Sequence, residues 1–133
     1  MENDVDTPRV GRNAQTTWVR YLLIALICEK IIQHMVVTGA FYFNWGDIRS
    51  TVAVAPDILM VSGALVAVLF MLSLWGMLAR RKWAVSLVMA LAIFDMFGEL
   101  IAQGTVAIMI TVSFLVAAIL LALALLYWRQ GWR

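Results

Sequence analysis

Apolar residues gather into four long runs; charged residues fall mostly in the tails, in the short breaks and at the run edges, and carboxylates and a lone histidine sit inside two of the runs. The runs cover residues 17–43, 56–79, 82–102 and 105–128. At ~1.5 Å rise per residue, each is long enough to cross a hydrocarbon core of roughly 30 Å as a helix. The pattern predicts an all-α integral membrane four-helix bundle. Pro56 suits a first helical turn, where its missing N–H is no loss. Gly104 marks a tight turn that makes the third and fourth helices antiparallel neighbours. Residues 1–16 are polar, with Pro8, Gly11 and mixed charge, and read as a flexible cytoplasmic N-terminal tail ahead of the bundle at 17–133. The tail is long and acidic, and no small-residue cleavage site follows a short apolar region, so it does not read as a cleaved signal peptide.

Composition strengthens the membrane reading. Hydrophobic residues make up 64% of the 133 positions and charged ones 14%, against roughly 45–50% and about 25% in soluble domains. Mean hydropathy is +0.92. The net charge of +2 is small, but its placement informs. Arg9, Arg12, Arg20, Arg80, Arg81, Lys82, Arg129 and Arg133 fall on one side of the expected membrane, and Arg49 alone on the other. The positive-inside rule then puts both termini in the cytoplasm, as a multi-pass protein of the cytoplasmic (inner) membrane. Aromatic residues fit two interfacial belts, Trp18, Tyr21, Trp83, Tyr127, Trp128 and Trp132 inside, and Phe41, Tyr42, Phe43 and Trp45 outside. No basic patch interleaves with aromatics, so the expected partner is the lipid bilayer and not nucleic acid. A single cysteine, Cys28, excludes an intrachain disulfide.

The polar residues inside the spans are the candidate chemistry, because an ionisable side chain at the bilayer centre costs at least ~2.5–3.5 kcal/mol on insertion scales. The first helix carries Glu29, Lys30, Gln33 and His34, which at about 100° per residue share roughly 140° of its circumference. The third carries Asp95, Glu99 and Gln103 at spacings of four, all on one face. Counting depth at ~1.5 Å per residue from the cytoplasmic interface puts Lys30 ~12–14 Å deep, His34 and Asp95 both near ~18–20 Å and Glu99 near ~24 Å, so that Lys30 and His34 fall at the right depth to pair with the two carboxylates, and Thr111 and Ser113 reach a similar level. The expectation is a ligand or ion cluster of Glu29, Lys30, Gln33, His34, Asp95 and Glu99; the same residues read equally well as interhelical pairs, Lys30 with Asp95 and His34 with Glu99, that only fix helix register. Asp57 and Gln103 lie at its outer rim. The loop 44–55, with Trp45, Gly46, Asp47 and the β-prone run Ser50–Ala55, is a candidate lid.

Three functional classes fit these residues. The first is binding or transport of a proton, small cation or small ligand, with His34 titrating near neutral pH. The second is a non-catalytic accessory or assembly subunit, in a homo-oligomer or a larger membrane complex. The third is an intramembrane lipid-modifying enzyme using Asp95, Glu99 and His34 as acid and base. No catalytic residue is assigned. His34, Asp95 and Glu99 are mixed N/O donors, but no paired-histidine ligand motif is present. No glycine-rich phosphate loop, nucleophile elbow or redox CxxC appears either. No metal and no cofactor is therefore expected.

Overall fold

The computed structural model describes the backbone of residues 10–103 and 111–131, and the side chains of residues 17–102 and 111–130. The described residues form four long helices: α1 (Val10–Phe43), α2 (Pro56–Leu78), α3 (Lys82–Gln103) and α4 (Val112–Gly131), with a short 3₁₀ segment over Trp45–Ser50 between α1 and α2. Each of the four is long and apolar enough to cross a membrane. Burial follows the logic of a lipid solvent. Leu65, Ile58, Val61, Ile101, Phe97 and Val112 are exposed around the outside, and this surface needs no water-facing polar coat. Leu23, Ile27, Phe70, Val88 and Leu120 are sealed between the helices.

Pro56 stands at the start of α2, as its lack of an N–H requires. Two other boundaries differ from the sequence expectation. Helix α1 begins at Val10 and takes in residues assigned to the tail, because no proline interrupts the ladder once α1 is nucleated. Helix α4 begins at Val112, not at 105. Thr111 is its cap: the Phe114 N–H donates to Thr111 Oγ1 at 3.1 Å, and the Leu115 N–H donates to the Thr111 carbonyl. A threonine at this position satisfies a donor that the first turn otherwise leaves open. The expected turn at Gly104 lies outside the described residues.

The α2–α3 hairpin is held by backbone geometry. The Arg81 N–H reaches the Gly76 carbonyl at 2.8 Å and the Arg80 N–H the Met77 carbonyl at 3.2 Å, a Schellman ending with Arg80 at φ 54° where glycine is usual. Helix α3 then lies so close that a Cβ on Gly76 would sit 2.7 Å from Ala84 Cβ and 2.8 Å from the Trp83 ring. The Arg20 guanidinium of α1 donates to the Met77 and Leu78 carbonyls at 3.2 and 3.3 Å. It thereby adds a donor to the last carbonyls of α2 and places positive charge at the negative end of the α2 dipole. This end of the bundle thus holds Arg20, Arg80, Arg81 and Lys82 together. The opposite end holds the 44–55 loop, where Asn44, Gly46 and Asp47 have φ of 51°, 62° and 58°. Glycine, asparagine and aspartate tolerate this left-handed region best. The loop runs back onto α3, with the Ala53 N–H donating to the Ala102 carbonyl.

Candidate functional site

Lys30 is among the largest fully buried side chains of the described residues, at 0% exposure. Its Nζ lies 2.6 Å from Asp95 Oδ2, and the two side chains are 0% and 10% exposed. It also donates to Gln33 Oε1 at 2.9 Å and to the Ser113 carbonyl and hydroxyl at 3.0 and 3.1 Å. An ammonium has three protons and no acceptor capacity. Surrounded by more oxygens than it has protons, it is fully satisfied while removed from water. The pairing ties α1 to α3 and α4 through one atom, and the helical spacing places Gln33 one turn from Lys30 on the same face.

His34 stands on the next face of α1. Its Nε2 lies 3.3 Å from Asp95 Oδ1, while its ring stacks on the buried Phe70 of α2 at 5.7 Å between centroids. Asp95 therefore takes Lys30 on one oxygen and faces His34 on the other. This corrects the expected pairing of His34 with Glu99. Glu99 Oε1 instead accepts from the Thr111 hydroxyl at 2.7 Å, so the residue capping α4 also holds the second carboxylate of α3. A spacing of four puts Asp95 and Glu99 on one face but a full turn apart in depth, and His34 reaches only the nearer of them.

A cavity of about 250 Å³ opens beside these groups. Gln33, His34, Asp95, Glu99, Ser62 and Ser113 supply its polar wall. Val37, Phe41, Leu59, Val66 and Phe94 supply the apolar one, and Val52 of the 44–55 loop lines it as well. Phe41, expected in an outer aromatic belt, is buried here at 4% exposure, whereas Tyr42, Phe43 and Trp45 beside it are exposed. Trp132 lies outside the described residues.

The remaining expected site residues separate from this cluster. Glu29 is half-buried and lines a different groove on α1 with Cys28, Ile32 and Val36. Its Oε2 is buried without a hydrogen-bond partner. The reason is angular: an arc of ~140° is wider than the strip a helix turns toward its neighbours, so the edge residue is left at the margin. Asp57 is exposed and pairs with Arg49 at 2.5 Å across the loop. It lies in the first turn of α2, where it complements the helix dipole, but makes no side-chain cap. The side chain of Gln103 lies outside the described residues. Among the described residues, no group of three or more His, Cys, Asp or Glu converges as a metal site.

Three contributors do not follow from the sequence pattern. Depth puts Ser113 at the right height without making it a partner of Lys30. By pattern, Phe70 is bundle filling and Arg20 only an inside charge. No periodicity signal marks any of them; a buried lysine that needs several acceptors is the one clue that points to Ser113. Comparison of the chain with family models, with curated proteins and with solved structures gives no match, so function must be argued from this geometry.

Proposed function

We propose that this multi-pass membrane protein binds a small polar ligand or ion in the cavity between α1, α2 and α3, with its termini in the cytoplasm. The observation that carries the reading is the cavity itself. Buried charges that served only to fix helix register would close on one another, but Asp95, His34 and Glu99 stand at the wall of about 250 Å³ of open space. Ligand pockets for drug-sized molecules run about 300–1,000 Å³, so the occupant here is smaller. Lys30 and Asp95 form the rigid base, and Glu99 and His34 supply groups that can change partner. The orientation rests on the gathering of Arg20, Arg80, Arg81 and Lys82 at one end of the bundle.

The test is thermal unfolding of the purified protein in micelles with n-butylammonium chloride, 1-butanol or sodium butyrate at millimolar concentration. At least one probe is expected to raise Tm, and Ser62→Leu, which fills the cavity, is expected to abolish the rise. No shift from any probe, or an equal shift in Ser62→Leu, removes the cavity from function.

A second reading, an accessory subunit of a membrane complex, is favoured by Glu29. Its unpartnered carboxylate oxygen belongs to a second groove on α1, with Cys28, Ile32 and Val36, where a polar group of another chain would satisfy it. Co-migration with a larger stoichiometric assembly after mild extraction, lost in Glu29→Leu, supports that reading. A lone species in both opposes it.

A further inference from the structure

Among the described residues, the carboxylates inside the spans divide into two kinds. Asp95 meets Lys30 and His34, and Glu99 meets Thr111. Nothing donates to Glu29, whose Oε2 is buried without a partner. Glu29 stands twelve residues from one end of its span at Thr17 and fourteen from the other at Phe43. At ~1.5 Å per residue that is more than ~10 Å below either interface. Every described residue of its groove belongs to α1, and Ala25, Cys28, Glu29, Ile32 and Val36 follow one another three or four apart along one strip. Ile32 and Val36 are 63% and 56% exposed, so the strip faces out of the bundle. Residues 104–110 contain no charged side chain and bring no cation to it.

Charge decides what covers the strip. A carboxylate at this depth is best met by an ammonium or guanidinium, which returns both the opposite charge and the hydrogen bonds that water no longer gives. Lipid amines lie in the headgroup region, outside the hydrocarbon, and do not reach mid-span. A second copy of the chain has no such cation to offer. Its Lys30 is wholly buried and held by Asp95 and Ser113, and every other described basic residue lies near a span end or in a connection. Two copies packed on this strip would bring carboxylate against carboxylate. The small side chains of Ala25 and Cys28 leave room beside Glu29 for a long side chain from a neighbouring helix. We infer that the α1 strip through Glu29 docks one membrane-spanning helix of another protein, and that a lysine or arginine at the middle of that helix pairs with Glu29. The inference rests on the accessory-subunit reading above and specifies the chemistry of its partner.

The experiment places the full-length protein in phosphatidylcholine vesicles with synthetic leucine–alanine helices of about 20 residues. Each helix has an acceptor dye at one terminus and lysine, glutamine, glutamate or leucine at its centre. Association is read as energy transfer from the tryptophans of the protein. The lysine helix is expected to associate at least about tenfold more tightly than the leucine and glutamate helices, and Glu29→Gln to cut that preference below about threefold. Glu29→Lys is expected to move the preference to the glutamate helix, an exchange that a merely structural effect of the substitution does not produce. The wild-type series of four helices decides by itself should either variant fail to fold. Equal association of the glutamine and lysine helices overturns the cation and leaves the accessory-subunit reading standing. Cross-linking of two copies through Cys28, in place of association with the lysine helix, assigns the strip to self-association and overturns the foreign partner. Absence of association with every helix overturns the inference, and the accessory-subunit reading falls with it only if the protein also migrates as a lone species after mild extraction.

Discussion

Lys30 Nζ of α1 lies 2.6 Å from Asp95 Oδ2 of α3, with the lysine wholly buried and the aspartate 10% exposed. The pair is compensated only while both partners are present, and each single loss strands the other charge away from water. Lys30→Met and Asp95→Leu are each expected to destabilise the bundle by ~3–5 kcal/mol. The double variant Lys30→Met/Asp95→Leu should cost less than either single change. Reversible unfolding in mixed detergent micelles measures all three, and additive losses would show that the pair is not coupled.

At Gly76 α2 and α3 are in tight contact, with Ala84 Cβ 2.7 Å from the position a Cβ would take. Gly76→Ala should therefore force the hairpin apart at a cost of ~1–3 kcal/mol. Gly39 of α1 has nothing within 4 Å of the same position, and Gly39→Ala should be close to neutral. Equal melting temperatures for the two variants would contradict the packing.

Arg80 holds φ 54° at the end of α2, a conformation that costs an L-residue ~1–2 kcal/mol relative to glycine. Arg80→Gly is expected to raise stability by about 1 kcal/mol, while Arg80→Ala keeps the cost and gains nothing. The comparison of the two substitutions separates backbone strain from the loss of a positive charge, which both share.

Thr111 serves two partners, the Phe114 N–H and Glu99. Thr111→Ala should lose ~0.5–2 kcal/mol from the cap alone, and Thr111→Ser should recover most of it. A serine variant as damaged as the alanine would assign the effect to the methyl group's packing instead.

In the 44–55 loop, hydrogen bonds from Ser50 and Asn44 hold the Asp47 carboxyl below its usual value of 3.8, against a small opposing effect of burial. A depressed native value means that the charged form is favoured by folding. The contribution is complete above the unfolded value and disappears as pH falls through the native one. A carboxyl NMR titration should find the Asp47 midpoint under 3.8, with the loop loosening only below it. Ser50→Ala should move that midpoint upward, because it removes the larger of the two donors.

Much of the architecture is legible in the run of apolar and polar residues. Pro56 opens α2 and Lys82 opens α3 as the pattern requires, because the first depends on a missing N–H and the second on a charge leaving the hydrocarbon. Depth puts His34 level with Asp95, its observed neighbour, and Lys30 about one turn shallower, since rise per residue is fixed along a helix. Which carboxylate each of them meets does not follow from depth, because the tilt and rotation of α3 choose between Asp95 and Glu99. Thr111 has the pattern of a mid-helix residue for a related reason. An apolar run continues through residues 105–110, and hydrophobicity does not distinguish a span from a segment that precedes its cap.

The order of residues alone settled how many times the chain crosses lipid, and roughly where, because transfer of a side chain into hydrocarbon is a local, nearly additive property. Packing decided which of the polar residues meet. Rotation of each helix about its own axis answers to the shapes of its neighbours, so Lys30, Gln33 and His34 turned inward while Glu29, next to Lys30 in sequence, was left at the edge.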